Sequence, residues 1–212
     1  MTAEGSAEAM EEGRLLFAKE CDFVLGVATL DSLPSQDLPE IAFAGRSNAG
    51  KSSLLNALTG RTHLARVSNT PGRTRQINIF RLGERLMLAD LPGYGFARVS
   101  KAEAADWNTL IFGYLRGRPN LRRVALLIDA RRGPMKSDIE VMDLLDKAAV
   151  SYQLVLTKAD KLRTEDLARE TSRSQAEAVR HTAAHPEILV TSALTGWGIP
   201  ELRTALAALA TW

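Results

Sequence analysis

The sequence predicts a single α/β domain, with a mostly parallel six-stranded sheet, one antiparallel strand and helices on both faces. The chain has 212 residues, a length that suits one domain. Its composition is 45% hydrophobic and 25% charged, which is ordinary for a globular protein. Apolar, β-prone runs alternate along the chain with amphipathic helical stretches, a pattern typical of a parallel sheet.

The individual elements follow from these runs. The predicted strands are residues 41–44, 77–82, 85–89, 123–128, 153–156 and 188–190. The predicted helices are residues 51–58, 101–115, 137–149, 164–182 and 200–210. The segment Leu82, Gly83, Glu84 and Arg85 indicates a tight hairpin turn, so the second and third of these strands should be antiparallel neighbours.

Composition divides the chain into three expected parts. Residues 1–13 are acidic and rich in small side chains, and we expect a disordered tail there. They lack the basic start and apolar stretch of a secretory signal. Residues 14–38 are partly apolar, and we expect an extension packed on the edge of the sheet. Residues 39–212 should form the main domain.

Composition also limits the classes of function. No run of about 18 apolar residues occurs, so we expect no membrane insertion. Cys21 is the one cysteine, which fits a reducing cytoplasm. The net charge of +2 does not by itself argue for nucleic acid. Arginines do cluster locally, and both an RNA-facing patch and a solvated surface explain them. The clusters are Arg73 with Arg75, Arg116 with Arg118, Arg122 and Arg123, and Arg131 with Arg132.

A phosphate-binding pattern, G-x-x-x-x-G-K-[ST], lies between the first predicted strand and the first predicted helix. It comprises Gly45, Arg46, Ser47, Asn48, Ala49, Gly50, Lys51 and Ser52. Such a turn exposes backbone N–H groups to phosphate oxygens, and the helix N-terminus adds partial positive charge. We expect Lys51 to reach the β- and γ-phosphates and Ser52 to ligate Mg²⁺. A surface turn could match by chance, but the flanking strand and helix favour a bound nucleoside triphosphate.

A second segment follows the predicted strand 85–89 and comprises Asp90, Leu91, Pro92 and Gly93. A carboxylate at this strand end can hold Mg²⁺ through a water, and the Gly93 N–H can meet the γ-phosphate. That contact exists only with a triphosphate, so the segment is expected to act as a switch. Taken alone, it also fits an ordinary strand-ending turn.

Two further segments predict that the base is guanine. Thr157, Lys158, Ala159 and Asp160 follow the apolar run 154–156. The Asp160 carboxylate can accept two hydrogen bonds from guanine, a donor pair that adenine lacks, while the Lys158 stem packs along the base. Thr191, Ser192 and Ala193 follow the last predicted strand and would offer a backbone N–H to the guanine O6. The predicted ligand is therefore GTP or GDP.

A polar loop, residues 68–76, lies where a first switch belongs. Thr70 and Thr74 both carry a hydroxyl that could complete the Mg²⁺ shell, and sequence spacing does not choose between them.

With these motifs in order, the chain resembles the EngB (YihA/YsxC) family of bacterial GTPases, in the TrmE-Era-EngA-EngB-Septin-like group. The resemblance rests on residues 41–54, 68–74, 90–95 and 156–161 and extends over residues 39–212. It implies a Ras-like P-loop GTPase domain with Thr74 as the switch threonine, and Mg²⁺ held by Ser52, Thr74 and Asp90. Five residues of the first switch are expected at the nucleotide: Gly72, Arg73, Thr74, Arg75 and Gln76. The resemblance also implies a cytoplasmic protein associated with large ribosomal subunit assembly and needed for division and septation. We expect a monomer that contacts this subunit or its rRNA.

The expected reaction is attack of water on the γ-phosphate, with Lys51, Thr74 and Gly93 as catalytic residues. Many GTPases place a glutamine after the Asp-x-x-Gly segment, whereas this chain has Tyr94. A phenol lacks the paired donor and acceptor of an amide, so intrinsic hydrolysis should be slow. A partner's arginine or a K⁺ ion near Asn48 would each raise the rate. Asn48 also fits as a loop residue that tolerates unusual dihedral angles.

Two other classes of function stay open. One is a nucleotide-gated interaction module with negligible turnover, which Tyr94 favours. The other is an ATP-dependent kinase or transporter ATPase, against which Asp160 argues. Tyr94 and Phe96 fit equally an apolar partner surface and core packing. The histidines His63, His181 and His185 show no metal-ligand spacing.

Overall fold

The computed structural model describes residues 3–35, 37–62, 64, 76–95 and 101–211. Seven strands form one sheet within these residues: β1 (Cys21–Val27), β2 (Glu40–Gly45), β3 (Ile77–Leu82), β4 (Leu86–Asp90), β5 (Leu121–Asp129), β6 (Tyr152–Thr157) and β7 (Leu189–Val190). The α-helices are α1 (Ala3–Phe17), α2 (Lys51–Thr59), α3 (Lys101–Gly117), α4 (Lys136–Ala148), α5 (Thr164–Ala178) and α6 (Ile199–Ala207).

The strand order across the sheet is β1-β3-β4-β2-β5-β6-β7. Strand β3 runs antiparallel to both of its neighbours, β1 and β4, and every other pairing is parallel. The mostly parallel sheet with one antiparallel strand is therefore confirmed, as is the hairpin between β3 and β4. The expected number of six strands is wrong.

The seventh strand is β1, which we expected only as part of a packed extension. It pairs with β3 along the edge of the sheet, with a register shift between Phe23 and Leu25. Only its first and last residues, Cys21 and Val27, are buried. An edge strand with an irregular register does not show the two-residue alternation that identifies a half-buried strand, which explains the miss.

The N-terminus also differs from the expectation. The structure has helix α1 where a disordered tail was expected at residues 1–13. Alanine, glutamate and methionine are strong helix formers, and the helix ends in the buried side chains of Leu16 and Phe17. At Gly13 the helix lies very close to α6, since a Cβ there would lie 2.8 Å from the Thr204 nitrogen. Packing against α6 thus orders this segment.

Two apolar clusters cover the two faces of the sheet. One face packs against α3, α4 and α5, and the other against α1, α2 and α6. The helices on both faces are confirmed. The carboxyl ends of the parallel strands β2, β4, β5, β6 and β7 lie along one edge of the sheet, which runs across the strands and differs from the edge formed by β1. Ligands bind at such carboxyl ends in open α/β sheets.

A buried polar cluster fixes the opposite end of β2. The Arg118 guanidinium lies 2.6 Å from the Glu40 carboxylate, and neither side chain is exposed to solvent. The Tyr114 hydroxyl donates a hydrogen bond of 2.7 Å to the same carboxylate. This cluster anchors the end of α3 to the sheet, away from the edge that carries the predicted site.

None of the helices in the described parts of the chain combines the length and the apolar character needed to cross a membrane.

Candidate nucleotide-binding site

The phosphate loop joins β2 to α2 at this edge of the sheet. Two of its residues have left-handed backbone angles, Asn48 with φ 65° and Gly50 with φ 95°. Gly50 directly precedes the first helical residue, Lys51. Glycine adopts this conformation without steric cost, and asparagine tolerates it better than most residues. The loop therefore delivers the N-terminus of α2, with its free N–H groups, to the edge of the sheet.

The Lys51 ammonium forms an ion pair with the Asp90 carboxylate at the end of β4. The side chains are 13% and 10% exposed. The structure thus brings together the phosphate loop and the second predicted segment, which lie 39 residues apart. Asp90 and the hydroxyl of Ser52, the residue after Lys51, supply oxygen donors of the type that Mg²⁺ prefers, so these residues fit the ion.

The segment after β4 lies directly on the phosphate loop. The Ser47 N–H donates to the Tyr94 carbonyl oxygen over 2.9 Å, and Tyr94 donates to the Gly45 carbonyl oxygen over 3.4 Å. A Cβ at Gly93 would lie 3.3 Å from both the Cα and the nitrogen of Ser47. Gly93 is therefore held where a larger residue would press on the loop.

Strand β6 ends in the predicted base-contact segment, which is fastened to the phosphate loop. The Thr157 hydroxyl donates to the Ala49 carbonyl oxygen. The Lys158 ammonium donates to the Asn48 carbonyl oxygen and, over 3.0 Å, to a carboxylate oxygen of Asp129. The expected phosphate side and base side of the site are thereby joined through backbone oxygens of the loop.

The two base-contact segments also meet. The Ser192 hydroxyl donates a 2.7 Å hydrogen bond to Asp160, and Lys161 lies 3.1 Å from the other carboxylate oxygen. The bond from Ser192 lowers the pKa of Asp160. Ala159 donates to the Thr191 carbonyl oxygen over 3.1 Å. Asp160 is thus held as an ionised, acceptor-only group, which is what the two donors of guanine require.

The other residues predicted at the site differ in their exposure to solvent. Leu91 and Pro92 are buried between Asp90 and Gly93, and Ala193 is half-buried after Ser192. Gln76 is exposed just before β3. Gly72, Arg73, Thr74 and Arg75 lie outside the described residues, as do Phe96 and His63.

Asp129 ends β5 as Asp90 ends β4, but it belongs to none of the motifs that predicted the site. Burial by itself would raise the pKa of Asp129, but hydrogen bonds from Arg131 and Lys158 outweigh burial and lower the pKa to about 2. Asp129 lines a cavity of about 150 Å³ together with Arg46, Asn48 and Lys158. An aspartate directly after an apolar run is the signal that could have identified it.

Asp138, in the first turn of α4, was also missed. Its carboxylate accepts a 2.8 Å hydrogen bond from the hydroxyl of Tyr94, whose side chain is buried. Of the two interpretations of Tyr94, the structure favours core packing over an exposed partner surface. The position of Asp138 at a helix start does not indicate that Tyr94 reaches it, so only the fold shows this contact.

Away from this edge, the structure brings His181 together with Asp143 and Asp146, whose ligand atoms lie within 4.8 Å of one another. The ring of His181 lies 2.7 Å from an Asp146 carboxylate oxygen, and Ala183 N–H donates to the other over 2.8 Å. These bonds fasten the chain after α5 to α4.

Two family models match parts of this chain. The model of a family described as "50S ribosome-binding GTPase" matches residues 40–158. A second model, the elongation factor Tu GTP binding domain, matches residues 116–211.

Among solved structures, the chain is similar to one described as a probable GTP-binding protein EngB. The TM-score is 0.64 at 23% identity, over 81% of this chain and 98% of that one. It is also similar to translation elongation factor SelB from Methanococcus maripaludis in complex with a GTP analogue. There the TM-score is 0.59 at 22% identity, over 84% of this chain and 34% of that one. At these identities the likeness shows the fold.

Sequence relatives are much closer. A probable GTP-binding protein EngB from Rhodospirillum rubrum is 58% identical over 98% of this chain and 92% of that protein. Another, from Granulibacter bethesdensis, is 58% identical over 98% of this chain and 93% of that protein. The chain therefore belongs to the EngB family of GTP-binding proteins and is a GTPase.

Proposed function

We propose that GTP and GDP bind along this edge, with the phosphates on the loop 45–52 and the base at Asp160. One observation carries the proposal. Thr157 and Lys158, from the base-contact segment, both donate to backbone oxygens of the phosphate loop. The two halves of a guanine nucleotide site are thereby held at a fixed separation, which a bound nucleotide would span.

Each end of this site has a chemistry that suits its half of the ligand. At the phosphate end, N–H groups at the start of α2 and the Lys51 ammonium attract phosphate oxygens. At the base end, ionised Asp160 accepts from the two donors of guanine, and Thr191, Ser192 and Ala193 lie beside it. An adenine base offers no such donor pair, so ATP should bind far more weakly.

We propose Mg²⁺ at Ser52, Thr74 and Asp90, since these side chains supply hard oxygen donors. When bound, the ion would neutralise phosphate charge. Lys51 would then orient the β- and γ-phosphates, and the Gly93 N–H would meet the γ-phosphate. With these groups and Thr74 fixing the phosphates, the oxygen of a water would add to the γ-phosphorus as the bond to the β–γ bridging oxygen breaks. GDP would leave with that bridging oxygen, and one proton of the water would stay on the inorganic phosphate while the other passes to solvent.

A K⁺ ion near Asn48 is a further proposal about the rate of this reaction. Asn48 is exposed at the phosphate loop, and amide oxygens are hard donors that suit such a cation. The left-handed backbone at this position accounts for asparagine by itself. Turnover measured in potassium and sodium chloride separates these explanations. Equal rates, together with an unchanged rate in Asn48→Ala, would remove the cation.

We propose the large ribosomal subunit or its rRNA as the partner, in the cytoplasm and with the chain as a monomer. The description of the matching family supports this partner. We also propose the role that the EngB resemblance implies, in ribosome assembly, division and septation. Pull-down of purified subunits, with GDP and with a non-hydrolysable GTP analogue, tests the partner. Multiple turnover with and without subunits separates a hydrolysing switch from an interaction module with negligible turnover.

The base assignment has the sharpest test. Asp160→Asn should shift the preference from guanine toward xanthine nucleotides, because the amide donates where the carboxylate accepted. Competition of GDP, XDP and ADP against a fluorescent GDP measures the shift. Asp166→Asn, the same change at an exposed ion pair on α5, is the control. Unchanged guanine preference in Asp160→Asn would overturn the assignment.

A further inference from the structure

A buried hydrogen bond connects the segment after β4 to the start of α4. The Tyr94 hydroxyl donates to Oδ1 of Asp138 over 2.8 Å. Oδ2 of Asp138 accepts the Met135 N–H over the same distance. Tyr94 is only 7% exposed and Asp138 only 1%. Both oxygens of the carboxylate are thus used, one by the helix start and one by Tyr94.

The same place is packed from the phosphate loop. The Arg46 guanidinium contacts the Met135 sulfur. At Gly95, where φ is 74°, a Cβ would lie 3.0 Å from Arg46 Nε and 3.4 Å from the Ser137 hydroxyl oxygen. Residues 93–95 are therefore held between the loop on one side and the start of α4 on the other.

Burial makes this bond costly to break. Burial raises the pKa of the Tyr94 hydroxyl well above its ordinary value, so the phenol keeps its proton and stays a donor. Without Tyr94, the buried oxygen of Asp138 would lose its partner, and an unsatisfied buried acceptor is expensive. The arrangement favours one fixed position of the backbone beside Tyr94.

We propose that Asp138 is a positioning residue for the γ-phosphate, because through the Tyr94 hydroxyl it holds Gly93 against the phosphate loop. This inference rests on the proposed function, in which the Gly93 N–H meets the γ-phosphate. It also assigns a role to the residue found where many GTPases have glutamine. While its hydroxyl is bonded to Asp138, Tyr94 does not orient the attacking water.

The test compares two tyrosines that make the same kind of bond. Tyr94→Phe and Asp138→Ala break the contact, while Tyr114→Phe removes an equally buried tyrosine–carboxylate bond far from the site. Affinities for GDP and for a non-hydrolysable GTP analogue are measured for each variant, with thermal unfolding midpoints. The affinity for the analogue divided by the affinity for GDP reports on the γ-phosphate contact. A general loss of stability lowers both affinities and leaves this ratio unchanged.

We expect analogue binding to weaken by about tenfold relative to GDP in Tyr94→Phe and in Asp138→Ala, the scale of one hydrogen bond to a charged group. The double variant should lose no more than the larger single effect, because both changes remove one bond. Tyr114→Phe should leave the ratio unchanged.

Two results would contradict the inference. One is an unchanged ratio in both Tyr94→Phe and Asp138→Ala, when the wild-type protein binds guanine nucleotides. The other is an equal fall of the ratio in Tyr114→Phe, which would make the effect a general one. A wild-type protein that binds neither nucleotide would instead overturn the proposed function, and this inference with it.

Discussion

The two lysines of the site are held in different ways. Lys51 forms its ion pair with one carboxylate, that of Asp90. Lys158 donates to Asp129 and to the backbone oxygen of Asn48, and Asp129 is itself held by Arg131 at 2.6 Å. Lys51 pairs with an expected metal ligand, whereas Lys158 connects two parts of the protein framework.

This difference separates a group that acts on the ligand from a group that builds the site. When a nucleotide binds, Lys51 is expected to contact the phosphates and Asp90 is expected to contact the metal. The contacts of Lys158 fix the distance between the phosphate loop and the base-contact segment. Substitutions at the two lysines should therefore affect binding to different extents and with different selectivity.

The largest effect is expected for Lys51→Ala. This change removes the cation that faces the phosphates and leaves the mostly buried Asp90 carboxylate without its pair. We expect nucleotide binding to weaken by about a hundredfold or more, since charge-assisted contacts to phosphate are strong. Titration with a fluorescent GDP measures the loss. Lys147→Ala, at an exposed position of α4, is the control, and equal losses in both variants would contradict the assignment.

A smaller effect is expected for Lys158→Met, which keeps the apolar stem and removes the ammonium. The loop and the base-contact segment then lose one of their two connections, and Thr157 retains the other. We expect binding to weaken by about tenfold, the scale of one charged hydrogen bond, equally for GDP and for a GTP analogue. A selective loss of the analogue would mean that Lys158 acts on the γ-phosphate, and the contrast with Lys51 would fail.

The smallest effect is expected for Asp129 and is a change in fold stability that depends on pH. Because the pKa of this carboxyl is lowered from 3.8 to about 2 in the folded protein, its ionised form stabilises the fold above pH 4. That stability is lost as the pH falls through about 2. Asp129→Asn should therefore be less stable than wild type at pH 7, with a difference that shrinks toward pH 2. Urea unfolding across this range measures the difference, and a constant one would contradict the assigned pairing.

The sequence predicted the helices and strands whose apolar residues recur at a regular spacing. Strand β3 was expected at 77–82 and occupies those residues, and helix α2 starts at Lys51 as expected. These segments have strong apolar patterns bounded by glycine or polar turns. The pairing of β3 with β4 followed from the turn at Gly83, whose φ is 53°.

The misses have physical causes. Strand β1 depends on an edge pairing with β3, whose residues lie 50 to 61 positions further along the chain. This pairing leaves little alternation in the sequence. Helix α1 depends on α6 at the other end of the chain. Among the site residues, the motif aspartates Asp90 and Asp160 stood out, whereas Asp138 did not, since its role depends on Tyr94 reaching it across the fold.

The edge position of β1 has a consequence for any shortened form of this protein. A chain cut at residue 39, where the motif-bearing domain was expected to begin, would lose both α1 and β1. The backbone N–H and C=O groups of β3 that now pair with β1 would face solvent along a row of six residues. Unpaired strand edges recruit other strands, so such a fragment should self-associate. The first 27 residues should thus protect the fold from aggregation, although they include none of the residues predicted to contact the nucleotide.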